Sequence, residues 1–139
     1  MSFSAPVPMR LDELRPFAHC NHDELEFIEA RLMRIEANSG DVLMSEGEVG
    51  HEVAVLVDGV VTVQHDGHTI ASFGPGEIFG EMALQEGHPR EATVVAASPI
   101  VAEVCSASAF AAIVDHVPTL SIVLLDTVER HTRTAGAMI

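Results

Sequence analysis

The chain has 139 residues, enough for one hydrophobic core closed without staples, and 47% of them are apolar. Its formal net charge is -14 with His neutral, and its seven basic residues are all Arg. Such a field repels nucleic acid and anionic lipid, and the missing Lys excludes Schiff-base chemistry and a Walker-type phosphate lysine.

No run approaches the roughly 20 apolar residues that cross a bilayer, and the opening MSFSAPVP lacks a basic region and an apolar signal core. A cytoplasmic protein is expected, with no nucleic-acid or membrane partner. Cys20 and Cys105 read as free thiols of a reducing compartment.

In chain order, residues 1–9 carry Pro6 and Pro8 without apolar period and read as a flexible N-terminal arm; residues 10–139 read as a single domain. A short helical turn is expected over Arg10 to Phe17. Asn21 with Glu24 three residues on forms a capping pair ahead of Leu25, Ile28 and Leu32, which predicts a helix from about His22 to Met33.

After Asn38-Ser39-Gly40-Asp41 the texture becomes β. Strands are predicted at Asp41 to Met44, Glu52 to Val57, Val60 to Gln64, His68 to Phe73, Ala92 to Ala97 and Ile100 to Ser106. Asp58-Gly59 and Asp66-Gly67 can each close a tight hairpin, and Pro75-Gly76 suits a type II turn. Closely spaced short strands with such turns indicate a mainly β fold, an antiparallel jelly-roll barrel with flanking helices. Helical period returns at Ala107, breaks at Pro118, and resumes with Leu120, Val123, Leu124 and Val128.

The segment from Phe79 to Ala97 interrupts the β pattern. Gly80 permits a sharp turn into Glu81-Met82-Ala83-Leu84, one helical turn whose unpaired N–H groups suit an anion. Arg90, the only Arg between Arg34 and Arg130, returns toward that seat and can grip a phosphate through several guanidinium hydrogen bonds. The plainer reading pairs Arg90 with Glu81 or Glu86 to brace a loop.

Gly80-Glu81, Ala83-Leu84, Pro89-Arg90 and Ala92-Thr93-Val94 together resemble the phosphate-binding cassette of the cyclic nucleotide-binding domain family. That family includes catabolite activator proteins, regulatory subunits of cyclic-AMP-dependent protein kinase, and cyclic nucleotide-gated channels. Glu46-Gly47, Gly50 and the run Val55 to Val61 resemble its second signature, and the likeness extends from Arg10 to Arg130.

The resemblance implies a non-enzymatic sensor of a cyclic purine mononucleotide, with cyclic AMP preferred over cyclic GMP. Arg90 would pair with the phosphate and Glu81 would accept a hydrogen bond from the ribose 2'-hydroxyl. Gly80, Met82 and Ala83 with the backbone of Glu91 or Ala92 would complete the cage. Val61 and Val63, with the lid-helix residues Leu124 and Val128, would cover the base.

Glu91 departs from the small residue usual in the family. At about 4 Å from a phosphate its carboxylate would cost about 4 kcal/mol in repulsion at an effective dielectric of 20. Alternation along an extended segment turns it away if Arg90 points inward; the remaining alternative is a contact with guanine.

The family's output domains are not evident in this sequence. The output is expected in another chain, in a homodimer formed through the C-terminal helix, or in a piece outside the sequence. One rival function is a degenerate binding fold serving as an interaction or dimerisation module. A cupin-like metal enzyme is the minor one, and no metal site or cofactor is expected, because the paired His19/His22 and His65/His68 lack a third ligand.

Overall fold

A computed structural model describes residues 10–85 and 87–136. The expected arm over residues 1–9 and the suggested pairing of Arg90 with Glu86 lie outside the described residues. No described helix is long and apolar enough to cross a membrane.

The predicted turn over Arg10 to Phe17 is a pair of 3-10 helices, Leu11–Glu13 and Arg15–Phe17, which bury Leu11, Leu14 and Phe17. Helix α1, His22–Glu29, starts at the expected capping box. The Glu24 amide donates to the Asn21 side chain at 2.8 Å, and the Asn21 amide donates to the Glu24 carboxylate at 2.9 Å.

The helix stops four residues before the predicted end at Met33. Met33–Ala37 instead form strand β1, which pairs antiparallel with the segment Ile100 to Val104. The apolar spacing through Leu32 suits a helix locally, but ladder hydrogen bonds to a distant strand override it. Arg34 lies directly opposite Glu103, and its Nε donates to that carboxylate at 2.7 Å.

Seven more strands follow: β2 Val42–Met44, β3 Glu52–Asp58, β4 Val61–His65, β5 His68–Phe73, β6 Ile78–Phe79, β7 Thr93–Ala96 and β8 Ile100–Ser106. They form two four-stranded antiparallel sheets, β1-β8-β3-β6 and β2-β7-β4-β5. The jelly-roll expectation holds in this form, as two facing sheets and not as a closed barrel.

Asp66 and Gly67 both take positive φ, 51° and 79°, and close the β4–β5 hairpin as predicted. Asp58-Gly59 does not close one. The strands that flank it belong to different sheets, so the chain crosses there from one layer to the other. The crossing is held by the Val60 amide donating to Ser98 Oγ at 3.0 Å and the Ala97 amide donating to the Val60 carbonyl at 2.9 Å.

Strand β3 is buried on both faces. Val53, Val55 and Val57 point into a cluster shared with Phe17, Ile28, Phe110 and Ile113, while Ala54 and Leu56 join Val61, Val63, Phe79 and Val94 between the sheets. This double burial explains its continuous apolar run, which a one-faced strand would not carry. Helices α2, Ala107–His116, and α3, Thr119–Ala135, complete the fold, with α3 lying against β5.

Candidate functional site

Strand β6 ends at Phe79 beside Gly80, whose φ is 94°. A Cβ at Gly80 would stand 2.6 Å from the Glu52 carbonyl oxygen and 2.8 Å from the Met44 methyl carbon, so this turn requires glycine. It leads into a 3-10 helix at Glu81–Leu84, as the sequence predicts. Glu81, Met82 and Ala83 are all buried there, and the Ala83 amide donates back to the Gly80 carbonyl at 3.0 Å.

Arg90 is held by the loop that carries the second sequence signature. The Gly47 amide donates to the Arg90 carbonyl at 2.9 Å, the Arg90 amide donates to the Glu48 carbonyl at 2.8 Å, and Val49 bridges to Pro89. These bonds turn the side chain inward, where the residue is 6% exposed and Nη2 donates to the Glu52 carbonyl at 3.0 Å. Burial depresses the guanidinium pKa, while Glu52, Glu81 and Glu48 pull it back up; the group remains a cation.

Arg90 borders two clefts. One, of about 330 Å³, is lined by Glu46, Gly47, His65, Glu91 and, from the end of α3, Ala135 and Gly136. The other, of about 290 Å³, lies toward Met44, Glu48, Gly50 and Glu52. Glu91 is exposed while Arg90 and Ala92 are buried, which is the alternation expected of an extended segment. Beside the first cleft His65 bridges two acids, with Nδ1 at 2.8 Å from Glu46 and Nε2 at 3.4 Å from Asp66. The hydrogen bond to Glu46 raises its pKa.

Glu81 meets a partner absent from the sequence reading. Its two carboxylate oxygens lie 2.6 and 3.1 Å from His131 Nδ1, and His131 Nε2 lies 2.7 Å from Glu77. Arg130 donates to both Glu77 oxygens at 3.0 and 3.1 Å and to Asp126 at 3.1 Å. Burial works against the His131 cation, but the hydrogen bonds to Glu77 and Glu81 outweigh it and push its pKa up to about 9. Burial likewise works against the Glu77 carboxylate, and hydrogen bonds from His131 and Arg130 hold it below its ordinary value.

One signal for His131 existed. Leu120, Thr127 and His131 recur at spacings of seven and four and form the buried stripe of α3. Of the expected base-covering residues, Val61 and Val63 are fully buried between the sheets, Leu124 packs with the helical cluster, and Val128 is half-buried on α3. The His131 ring also lies 4.9 Å from Phe73 of β5.

The site thus consists of an inward cation and a buried acid on one interrupted β segment, with a helix drawn across both. The family model described as "Cyclic nucleotide-binding domain" matches residues 34–116. The chain is 37% identical over 112 residues to the acetyltransferase Pat of Mycolicibacterium smegmatis, a match that covers 78% of this chain and 33% of that protein. Among solved structures, a single-residue mutant of a cAMP-binding acyltransferase from Mycobacterium smegmatis superposes with a TM-score of 0.75 at 31% identity, over 88% of this chain and 40% of that one. A cAMP-bound PfPKA-R superposes with a TM-score of 0.80 at 24% identity, over 91% and 44% of the two chains. The chain therefore spans about a third of the length of the acetyltransferase it matches. With the cassette, the two-sheet roll and the flanking helices all in register, this chain belongs to the cyclic nucleotide-binding domain family.

Proposed function

We propose that this domain binds a cyclic purine mononucleotide, cyclic AMP in preference to cyclic GMP, and acts as a non-enzymatic regulatory module. The observation that carries this reading is the buried Arg90, fixed by backbone bonds on both sides and turned inward beside two clefts. A singly charged phosphodiester supplies the anion that such a desolvated cation favours. Glu81 accepts from a neutral ribose hydroxyl and so prefers a ribose to a 2'-deoxyribose. Gly80 and Met82 shape the turn, and the backbone at Glu91 and Ala92 lies next to the phosphate.

The cAMP-binding acyltransferase supports the choice of ligand class, and its greater length supports an output read by a further segment or another chain. Dimerisation through α3 is the simplest alternative output: Ile122 and Leu125 stand 72% and 62% exposed on its outer face. Titration calorimetry with cyclic AMP and cyclic GMP tests the reading. Arg90→Ala is expected to lose about 2 to 5 kcal/mol of binding, as removal of one partner from a buried charge contact does.

A second reading, a fold that holds no nucleotide and serves as an interaction module, is favoured by the engagement of Glu81 with His131. It predicts no heat with either nucleotide.

A further inference from the structure

We propose that His131 is an autoinhibitory latch: it occupies the carboxylate of Glu81, and a cyclic nucleotide must displace it, and with it the end of α3, to bind. This inference rests on the nucleotide reading above.

The geometry leaves Glu81 inaccessible in this state. Its side chain has no exposed surface, and neither has that of His131. A ribose hydroxyl reaching Glu81 must enter the space the imidazole fills. The same helix also borders the cleft beside Arg90, through Ala135 and Gly136. One element therefore lies across both anchors, and its displacement opens them together.

The latch is held from two sides. Nδ1 faces Glu81 and Nε2 faces Glu77, so both ring nitrogens must donate, which only the imidazolium does. Glu77 is fixed in turn by two bonds from Arg130, the neighbouring residue on α3, whose other side reaches Asp126. The groups facing His131 are thus Glu77 before β6, Glu81 on the 3-10 turn, Arg130 on its own helix, and the uncharged ring of Phe73 on β5. Arg90 adds a second cation acting on Glu81.

Exchanging an imidazolium for a neutral hydroxyl is unfavourable at Glu81 itself. The phosphate contact at Arg90 must supply the difference, and the measured affinity is the intrinsic one multiplied by the fraction of molecules with the latch open. Binding and release of α3 are then one event, which gives a regulatory output without any further contact between ligand and helix.

The test uses two substitutions and one titration. His131→Gln keeps a planar side chain but cannot donate from both ends, and Glu77→Gln weakens the tether without touching Glu81 or Arg90. If the latch holds about nine molecules in ten closed, either change tightens cyclic AMP binding about tenfold at pH 7. Without nucleotide, hydrogen exchange of the α3 amides from Leu124 onward accelerates in both. For the wild type, affinity rises from about pH 6.5 and levels off above about pH 9, the range over which protonation of His131 ceases to favour the closed latch, and His131→Gln abolishes that rise.

Nucleotide binding by the wild type that is equal or weaker in both variants overturns the latch, as does unchanged α3 exchange. Absence of binding by the wild type and both variants overturns the nucleotide reading and the competition with it. Tightening in both variants together with loss in Arg90→Ala supports the two.

Discussion

Gly50 lies beneath the Arg90 guanidinium, where a Cβ would stand 2.4 Å from Cζ and 2.6 Å from Nη2. The second sequence signature therefore serves the first: the Glu46 to Gly50 loop both clamps the Arg90 backbone and leaves room for its side chain. Gly50→Ala is expected to push the guanidinium out of place and weaken cyclic AMP binding toward the level of Arg90→Ala. The accompanying loss of stability is small, about 1 kcal/mol for the lost bond to the Glu52 carbonyl, because the clash falls on the far end of a flexible side chain. Calorimetry and thermal melting separate the two effects, and full affinity in this variant contradicts the assigned position of Arg90.

Gly80 presents a harsher case, because backbone conformation and space both exclude a side chain. At a φ of 94° a Cβ is strained in itself, and here it also meets the Glu52 carbonyl oxygen at 2.6 Å. Gly80→Ala is expected to cost about 2 to 4 kcal/mol, combining left-handed strain with overpacking, read as a lower denaturant midpoint at unchanged slope.

Stability should vary with pH in opposite directions at the two ends of the Glu77–His131 pair. The raised pKa of His131 means that its contribution is full below the ordinary 6.5 and is lost as pH rises through about 9. The depressed pKa of Glu77 means that its contribution is full above the ordinary 4.5 and is lost as pH falls through its folded value. Urea midpoints should therefore decline from about pH 6.5 to about pH 9.5, and His131→Gln should flatten that decline. An unchanged slope in the variant places the titrating group elsewhere.

Glu91 tests the alternation argument. Because it is exposed while Arg90 is buried, Glu91→Ala is expected to change cyclic AMP affinity by less than about threefold, the reach of a screened surface charge. A gain for cyclic AMP paired with a loss for cyclic GMP in the same variant identifies a guanine contact instead.

Much of the architecture was legible because its signals are local. The Asn21–Glu24 cap, the Asp66-Gly67 turn, the break at Pro118 and the glycine opening the 3-10 turn each act through neighbours a few residues away, and each stands where the sequence placed it. Arg90 was legible as a lone cation in a recognisable cassette, and its inward orientation follows from backbone bonds to Glu48 and Gly47.

What the sequence alone could not decide depends on partners far along the chain. The helical spacing that ends at about Met33 gives no sign of a strand over Met33–Ala37, and only the ladder to β8 makes one there. Asp58-Gly59 has hairpin chemistry, but the strands around it find separate sheets, because β3 pairs with β6 and β8 while β4 pairs with β5 and β7. His131 is one of eight histidines in the sequence, and its place on the stripe of α3 marks it as buried without naming its partners. It becomes a buried cation only when folding brings α3 across two carboxylates, Glu77 and Glu81, which lie 54 and 50 residues earlier in the chain. Local chemistry chose the elements and the anchor cation; the long-range closure of the fold, where burial makes each unpaired charge costly, chose what the anchors touch.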